Sequence, residues 1–186
     1  MEIKAIETEY NGYRFRSRAE ARWAIAFEHL GIEYMYEPEG YQLSDGTKYL
    51  PDFYLPESKT YFEVKGVMTG KDMHKITQLQ KDLGVNIAIG YPDLTFQASD
   101  NWAENYYQIN ECKEESWLMK CRECGKYFFT GDLGTWMCQC CGYYDGDNTA
   151  EWVCAGDHKS WYQEIGAKIF REARQARFEH GEKPKV

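Results

Sequence analysis

The sequence contains no run of apolar residues close to the roughly 20 that a membrane-spanning helix requires. Its first residues, MEIKAIETEY, lack the basic and then apolar layout of a signal peptide. We therefore expect a soluble, intracellular (cytoplasmic) protein that makes no membrane contact.

An excess of positive charge is also lacking, because 22 Lys and Arg stand against 30 Asp and Glu and the formal net charge is -8. A protein with this charge is not attracted to nucleic acid as a whole. Any nucleic-acid partner must therefore be held by local basic clusters or through cations.

A disulfide framework favours an even number of cysteines, and this chain has seven. Four of them stand in Cys-x-x-Cys pairs. That arrangement is typical of thiolates that bind a metal ion in a reducing compartment.

The pattern of apolar residues predicts an α/β core at the N-terminal side of the chain. We expect a helix over 18–30 with Ser17 as its N-cap, two strands over 49–55 and 61–67, and a second helix that ends at Gly84. The apolar strand VNIAIGYP follows. A parallel strand reached through a helix is typical of an α/β sandwich.

Three segments follow from this pattern: a core over 1–110, a cysteine-rich module over 111–158 and a C-terminal helix over 159–186. The last segment has helical spacing of apolar residues. Its predicted apolar side comprises Ile165, Ile169 or Phe170, Ala173 and Ala176.

Two carboxylates are expected to meet in the hairpin formed by the two strands. If 56–59 form a four-residue loop, Asp52 lies opposite Glu63 on one face, and Lys65 lies two residues further along that face. Like charges placed so are destabilising unless a bound cation compensates them. The alternative is a solvated polar face on which Lys65 neutralises both acids.

The motif PD, then ten residues, then EVK resembles the signature of the PD-(D/E)XK nuclease superfamily. The resemblance covers about residues 10–98 and implies a mixed sheet flanked by helices. It implies that Asp52 and Glu63 bind Mg²⁺ or Mn²⁺ with help from the carbonyl of Val64, and that Lys65 acts on the attacking water.

Glu20 matches a further acidic residue that many members of this superfamily carry on the preceding helix, which makes it a candidate catalytic residue. Ser17 and Glu20 also form a capping-box pattern, in which the glutamate only stabilises the start of the helix. On the following helix, Lys75 and Gln78 are candidates for positioning substrate or metal, although solvation of the surface explains them as well.

The stretch Cys121-x-x-Cys124-Gly is repeated after 13 residues as Cys138-x-x-Cys141-Gly. Four thiolates in two such pairs predict a tetrahedral structural Zn²⁺ site. The glycine after each pair suits a left-handed turn. Cys140 offers a rival register for the second pair, but only Cys141 preserves the repeated form.

The module resembles a zinc ribbon, which implies binding of nucleic acid or of a protein partner. A purely structural zinc site is the alternative. Cys112 and Cys154 are expected to be small buried residues. The spacing of Cys154 and His158 leaves open a second metal site or the replacement of one thiolate of the first.

Two groups of basic residues could contact phosphate, because guanidinium groups can engage two phosphate oxygens at once. The candidate DNA-binding group beside the first helix comprises Arg14, Arg16, Arg18 and Arg22. The group on the last helix comprises Lys168, Arg171, Arg174 and Arg177. Ion pairs on the helix surface are the alternative for the second group.

These patterns together predict a metal-dependent nuclease that hydrolyses phosphodiester bonds of DNA. The alternative is a non-cleaving accessory or antagonist protein on the same fold, which binds nucleic acid or protein and uses the zinc ribbon for docking. Strand preference, endonuclease or exonuclease mode and oligomeric state are left open by the sequence.

Overall fold

The computed structural model describes residues 6–99, 115–131, 137–158 and 163–178. Within these ranges the chain is mixed α/β, with three helices and a mixed sheet, as the sequence predicts at this level. None of the helices in the described ranges combines the length and the apolar character needed to cross a membrane.

Helix α1 spans Arg18–Leu30, as predicted. It begins where the hydroxyl of Ser17 accepts the amide of Glu20 at 3.2 Å. It ends where Gly31 adopts a φ of 66°, a left-handed conformation that costs glycine little. Both ends are therefore specified locally by the residues that the sequence places there.

The strands of the N-terminal part are short, and several lie in hairpins. They are β1 Thr8–Tyr10, β2 Tyr13–Phe15, β3 Met35–Tyr36, β4 Tyr41–Gln42, β5 Lys48–Tyr49, β6 Phe53–Leu55, β7 Thr60–Val64, β8 Asn86–Gly90 and β9 Phe96–Ser99. Strands β1 and β2 pair with each other, as do β4 and β5.

The main sheet has five strands in the order β3-β6-β7-β8-β9. Strands β7 and β8 are parallel, and the predicted crossover between them is helix α2, Gly70–Leu83. All other neighbours are antiparallel. Strand β9 was not predicted, because it is a short strand with no long apolar run.

The hairpin of β6 and β7 has the predicted register, since Leu55 pairs with Thr60 across the loop 56–59. Its strands are shorter than the predicted 49–55 and 61–67, which is a correction. Pro51 interrupts the first, because proline supplies no amide for the ladder. Tyr49 pairs instead with Tyr41 in the β4–β5 hairpin.

Each face of the main sheet is covered by one helix. On one face Phe53 and Phe62 pack with Trp23 and Phe27 of α1, and the ring centroids of Trp23 and Phe62 lie 4.6 Å apart. On the other face Tyr61 and its neighbours pack with α2. The alternation of side chains along a strand therefore places Asp52 and Glu63 on the α2 side.

A second sheet has the order β11-β10-β12, formed by β10 Ser116–Cys121, β11 Tyr127–Gly131 and β12 Ala150–Ala155. Its inner face packs into the same hydrophobic cluster as α1 through Leu118, Phe129 and Val153. Its outer face carries a separate small cluster around Met119 and Phe128. The predicted boundary at residue 110 lies outside the described ranges, and the one after residue 158 lies at the end of a described range.

Helix α3 spans Glu164–Gln175 and packs on α1 and β12. Ile169, Phe170 and Ala173 are buried as predicted, but the side chain of Ile165 is 49% exposed. This corrects the predicted apolar side. Gly166 faces Val153 closely, so the buried face begins at Gly166 and the preceding residue points to solvent.

The tightest approach in the core lies at Gly90. A Cβ atom there would come within 2.5 Å of both Phe62 and Trp23. We expect Gly90→Ala to lower the free energy of unfolding by about 2–3 kcal/mol, because it overpacks a buried site. Urea unfolding measures this, with Gly70→Ala as control, since nothing lies within 4 Å of that position. Equal stability of the two variants would contradict the packing described here.

Candidate active site and metal centre

A cleft of about 310 Å³ lies where the β6–β7 hairpin opens away from its loop. Its lining combines charges of both signs. The acidic side chains are Glu20, Asp52 and Glu63, and the basic ones are Arg16, Lys48, Lys65 and Lys75. On a protein with a formal charge of -8, four basic against three acidic groups make this cleft a locally favourable place for an anion.

Asp52 and Glu63 hold each other in place through backbone amides. The amide of Asp52 donates to Glu63 Oε2 at 3.1 Å, and the amide of Val64 donates to Asp52 Oδ2 at 2.8 Å. The two residues are only 4% and 3% exposed. The structure thus brings together the two carboxylates that the predicted hairpin register places opposite each other.

Cations occupy the remaining oxygens of this pair. Arg16 Nη2 lies 2.8 Å from Asp52 Oδ1, and Lys65 Nζ lies 2.6 Å from Glu63 Oε1. Lys65 also lies 3.7 Å from Asp72 Oδ1. The sequence left open the alternative that Lys65 neutralises both acids. In the structure Lys65 pairs with Glu63, and Arg16 pairs with Asp52.

Burial strongly perturbs the groups in this cleft. Desolvation and the charge of Glu63 raise the pKa of Asp52 to about 8, and the amide of Val64 only partly opposes this. The guanidinium of Arg16, 2.8 Å from Asp52 Oδ1, favours the ionised form of Asp52. Because Arg16 is about half exposed, solvent weakens this attraction, and the effect of burial on the pKa of Asp52 is larger. Burial lowers the pKa of Lys65, but Glu63, Asp52 and Asp72 outweigh it and the net shift is upward. Burial and Glu63 raise the pKa of Tyr49.

Glu20 lines the cleft and also supports the start of α1. Its carboxylate accepts from Ser17 Oγ at 2.7 Å, from Tyr36 Oη at 2.6 Å and from the amide of Arg16 at 3.0 Å. In a capping box the carboxylate of Glu20 would accept a hydrogen bond from the backbone amide of the N-cap residue Ser17. Here it accepts from the backbone amide of Arg16, one residue earlier. Its charge contributes to the raised pKa of Asp52.

Lys75 lines the cleft, whereas Gln78 does not. Gln78 donates to Ser44 Oγ at 2.8 Å and to Asp82 Oδ1 at 2.9 Å, which ties α2 to the β4–β5 hairpin. Lys48 is a cleft residue that sequence reasoning missed. The signal available for it was its position just upstream of the motif, on the strand before Pro51.

The arginines beside α1 are separated by the fold. Arg16 enters the cleft, while Arg14 forms an exposed ion pair with Glu7. Arg18 and Arg22 do not line the cleft. On α3, Arg174 Nη1 donates to the carbonyl of Asp93 at 3.3 Å. Arg171 and Arg174 line a second cleft of about 320 Å³, together with Cys154 and His158.

Four cysteine side chains converge beside the second sheet, one at the end of β10 and three in the segments that connect its strands. The Sγ atoms of Cys121 and Cys141 lie 3.9 Å apart, and those of Cys124 and Cys138 lie 3.7 Å apart. Thiolates at about 2.3 Å from a tetrahedral Zn²⁺ would be separated by about 3.8 Å, so this spacing fits such an ion. Within the described ranges, this quartet alone brings three or more potential ligands close enough for one metal.

The two halves of the quartet have the same backbone geometry. The amide of Gly125 donates to the carbonyl of Cys121 at 3.0 Å, and that of Gly142 to the carbonyl of Cys138 at 2.8 Å. Both glycines have positive φ, 71° and 76°. The predicted left-handed turn after each pair is therefore confirmed.

The remaining cysteines lie outside the quartet. Cys140 Sγ donates to the carbonyl of Tyr127 at 3.7 Å, and burial raises the pKa of its thiol to about 12. Cys154 is buried in the main core, as predicted. The ring of His158 packs 4.4 Å from that of Phe170. Cys112 lies outside the described residues.

The quartet lies at the loop end of the β6–β7 hairpin. Lys126 pairs with Glu57 in the β6–β7 loop, and Gln139 lies 3.4 Å from Thr60. These contacts are at the opposite end of the hairpin from Asp52 and Glu63. A metal in the quartet would therefore support the hairpin without taking part in chemistry in the cleft.

Comparisons of the chain with protein-family models, with curated proteins and with solved structures find no match.

Proposed function

We propose that this protein is a metal-dependent nuclease that hydrolyses phosphodiester bonds of DNA, on a fold like that of the PD-(D/E)XK superfamily. The observation that carries the proposal is the buried pair of Asp52 and Glu63 beside Lys65. Two carboxylates held together by backbone amides are costly to bury unless they serve a ligand, even with one cation at hydrogen-bond distance from each.

The donor set of the cleft suits Mg²⁺ or Mn²⁺. Such ions take one or two carboxylates and complete their coordination with water and substrate phosphate. Asp52 and Glu63 supply the two carboxylates, and the carbonyl of Val64 is a further candidate ligand. When bound, the ion would neutralise charge on the scissile phosphate and lower the pKa of a water molecule.

Lys65 is the proposed group that acts on the attacking water. Its ammonium is fixed by Glu63 and Asp72, and its raised pKa keeps it charged at neutral pH. A charged group held in this way can orient a water molecule and stabilise negative charge that develops on phosphate. Glu20 would act as a further acidic residue of the site.

Arg16, Lys48 and Lys75 would hold the substrate. They place three cations at the rim of a cleft whose floor carries the acids. Arg16 would leave Asp52 when the metal ion binds, since the two cations compete for the same oxygen, and its guanidinium would then be available to phosphate.

We assign the cysteine quartet to a structural Zn²⁺. The Sγ spacing and the paired left-handed turns support this ion over a chance cluster. The contacts of Lys126 and Gln139 with the β6–β7 loop support a role in fixing the hairpin that carries Asp52 and Glu63.

A second candidate function is binding without cleavage, with the quartet as a docking module. One observation favours it: all four carboxylate oxygens of Asp52 and Glu63 already have a protein partner. In such a protein Arg16 and Lys65 would neutralise the acids permanently, and no metal would enter the cleft.

Replacement of Lys65 by alanine separates the two candidates. We expect Lys65→Ala to slow Mg²⁺-dependent DNA cleavage at least about 100-fold, the typical effect of removing one donor to developing charge. Calorimetry should show Mn²⁺ binding that is undiminished, because a cation that competes for Glu63 is gone. Lys71→Ala on the exposed surface of α2 is the matched control. Equal cleavage by both variants would reject the proposed role of Lys65.

A further inference from the structure

Arg18 and Arg22 form a pair of like charges one turn apart on α1. They lie about 160–200° around the helix from Glu20, because each residue turns about 100°, and neither of them lines the cleft itself. Both side chains are half-buried. The Nε atom of each is buried and makes no hydrogen bond to any described residue.

The acids of the same helix are engaged elsewhere. Glu20 accepts from Ser17 and Tyr36, and Glu28 accepts from Tyr10, Asn11 and Tyr34. Within the ranges that the structure describes, no carboxylate pairs with Arg18 or Arg22.

An uncompensated pair of this kind is unfavourable for the fold. Like charges at this spacing repel each other. Burial and the charge of Arg18 lower the pKa of Arg22. The chain has 30 acidic residues, yet among the described residues none forms an ion pair with either arginine, so their two charges can serve an external anion.

We propose that Arg18 and Arg22 bind a second backbone phosphate of the DNA strand that occupies the cleft. Their planar groups can each donate two hydrogen bonds to phosphate, and the amino end of α1 adds a favourable dipole. This inference rests on the proposed function and extends it by a phosphate that is not cleaved.

The position of the pair fits such a strand. Arg16 stands in the cleft, and Arg18 is the first residue of α1, so at most about 7 Å of backbone separates them. Neighbouring phosphates of one strand are spaced about 3.4 Å along a duplex axis. A strand that leaves the cleft past Arg16 therefore crosses the start of α1 within a few nucleotides.

Salt-dependent binding tests the site. A fluorescent DNA duplex would be titrated, without added divalent ions so that cleavage does not interfere, with Lys65→Ala protein and with the same protein carrying Arg18→Gln and Arg22→Gln. We expect the affinity at low salt to fall at least about tenfold and the slope of log affinity against log salt to decrease by about 0.9, the value for one phosphate.

Lys59→Gln with Lys81→Gln, two exposed lysines in the β6–β7 loop and on α2, removes the same charge as a control and should leave the slope unchanged. The variant with lysine at both arginine positions keeps the two charges and should retain most of the slope. This result would show that the glutamine variant loses affinity through loss of charge and not through a folding defect. A slope equal to that of the control in the double glutamine variant would overturn the second site while leaving the nuclease proposal intact. If the parent binds neither duplex nor single-stranded DNA at any salt concentration, both proposals fall.

Discussion

Asp52→Asn is expected to abolish divalent-dependent DNA cleavage and, in the absence of metal, to make the fold more stable above pH 8. Loss of one of two carboxylate ligands should reduce the cleavage rate by at least about 1000-fold, since a metal ion contributes several kcal/mol and each 1.4 kcal/mol is a factor of ten. The amide of Val64 can still donate to the asparagine oxygen, and Arg16 keeps its partner Glu37. The geometry of the hairpin should therefore survive.

The stability difference follows from the pKa of Asp52, which rises from 3.8 in the unfolded chain to about 8 in the fold. Between these values the folded protein holds a proton that the unfolded chain has lost, so stability decreases as pH rises. Above pH 8 the folded parent carries an ionised, buried carboxylate, and Asp52→Asn does not. The variant should be more stable there by at least about 2 kcal/mol, and the difference should shrink towards pH 5.

Urea unfolding at pH 5, 7 and 9 without divalent ions measures this difference, with Asp147→Asn at an exposed position as control. Addition of Mn²⁺ should reverse it, because metal binding stabilises only the folded parent. A parent that is more stable than Asp52→Asn at pH 9 without metal would contradict the burial cost assigned to this carboxylate.

Cys141→Ser should remove one Zn²⁺ per chain, whereas the neighbouring Cys140→Ser should retain it. The two residues are adjacent, but only Cys141 belongs to the quartet, while Cys140 contacts the carbonyl of Tyr127. We expect loss of the ion to lower the free energy of unfolding by at least about 3 kcal/mol, a modest share of the roughly 10 kcal/mol with which zinc-finger peptides bind the metal. The loss should extend to the main core, because Leu118 and Phe129 of the same sheet pack there.

Elemental analysis and thermal unfolding of both variants test this. Zinc retained in Cys141→Ser and lost in Cys140→Ser would show that the other register binds the ion. Absence of metal from the parent, with ordinary stability, would reject the zinc assignment altogether.

Local signals account for the parts of the fold that were predicted correctly. Helix α1 is specified by Ser17 and Gly31 at its ends. The position of Asp52 opposite Glu63 follows from the four-residue length of the β6–β7 loop. The convergence of the four cysteines was predicted from the repeated Cys-x-x-Cys-Gly spacing, a pattern typical of structural zinc sites. Each of these depends on residues close together in the sequence or on a strict repeat.

Contacts between distant residues account for the parts that were missed. The pairing of Arg16 with Asp52 joins positions 36 residues apart, and no local pattern indicates it. Lys48 reaches the cleft only because Pro51 ends one strand and a separate hairpin carries the chain past the site. The shared core of α1 and the second sheet likewise depends on tertiary packing, which periodicity along one element does not encode.

The central claim is that Asp52 and Glu63 form a metal-dependent site for DNA cleavage. Its most direct test is incubation of the zinc-loaded parent and of Asp52→Asn with supercoiled, linear and single-stranded DNA, each with Mg²⁺, with Mn²⁺ and with no added divalent ion. We predict cleavage of at least one substrate by the parent only when Mg²⁺ or Mn²⁺ is present, and none by Asp52→Asn. Cleavage by Asp52→Asn at the rate of the parent, or an inactive parent that binds no Mn²⁺ by calorimetry, would contradict the claim.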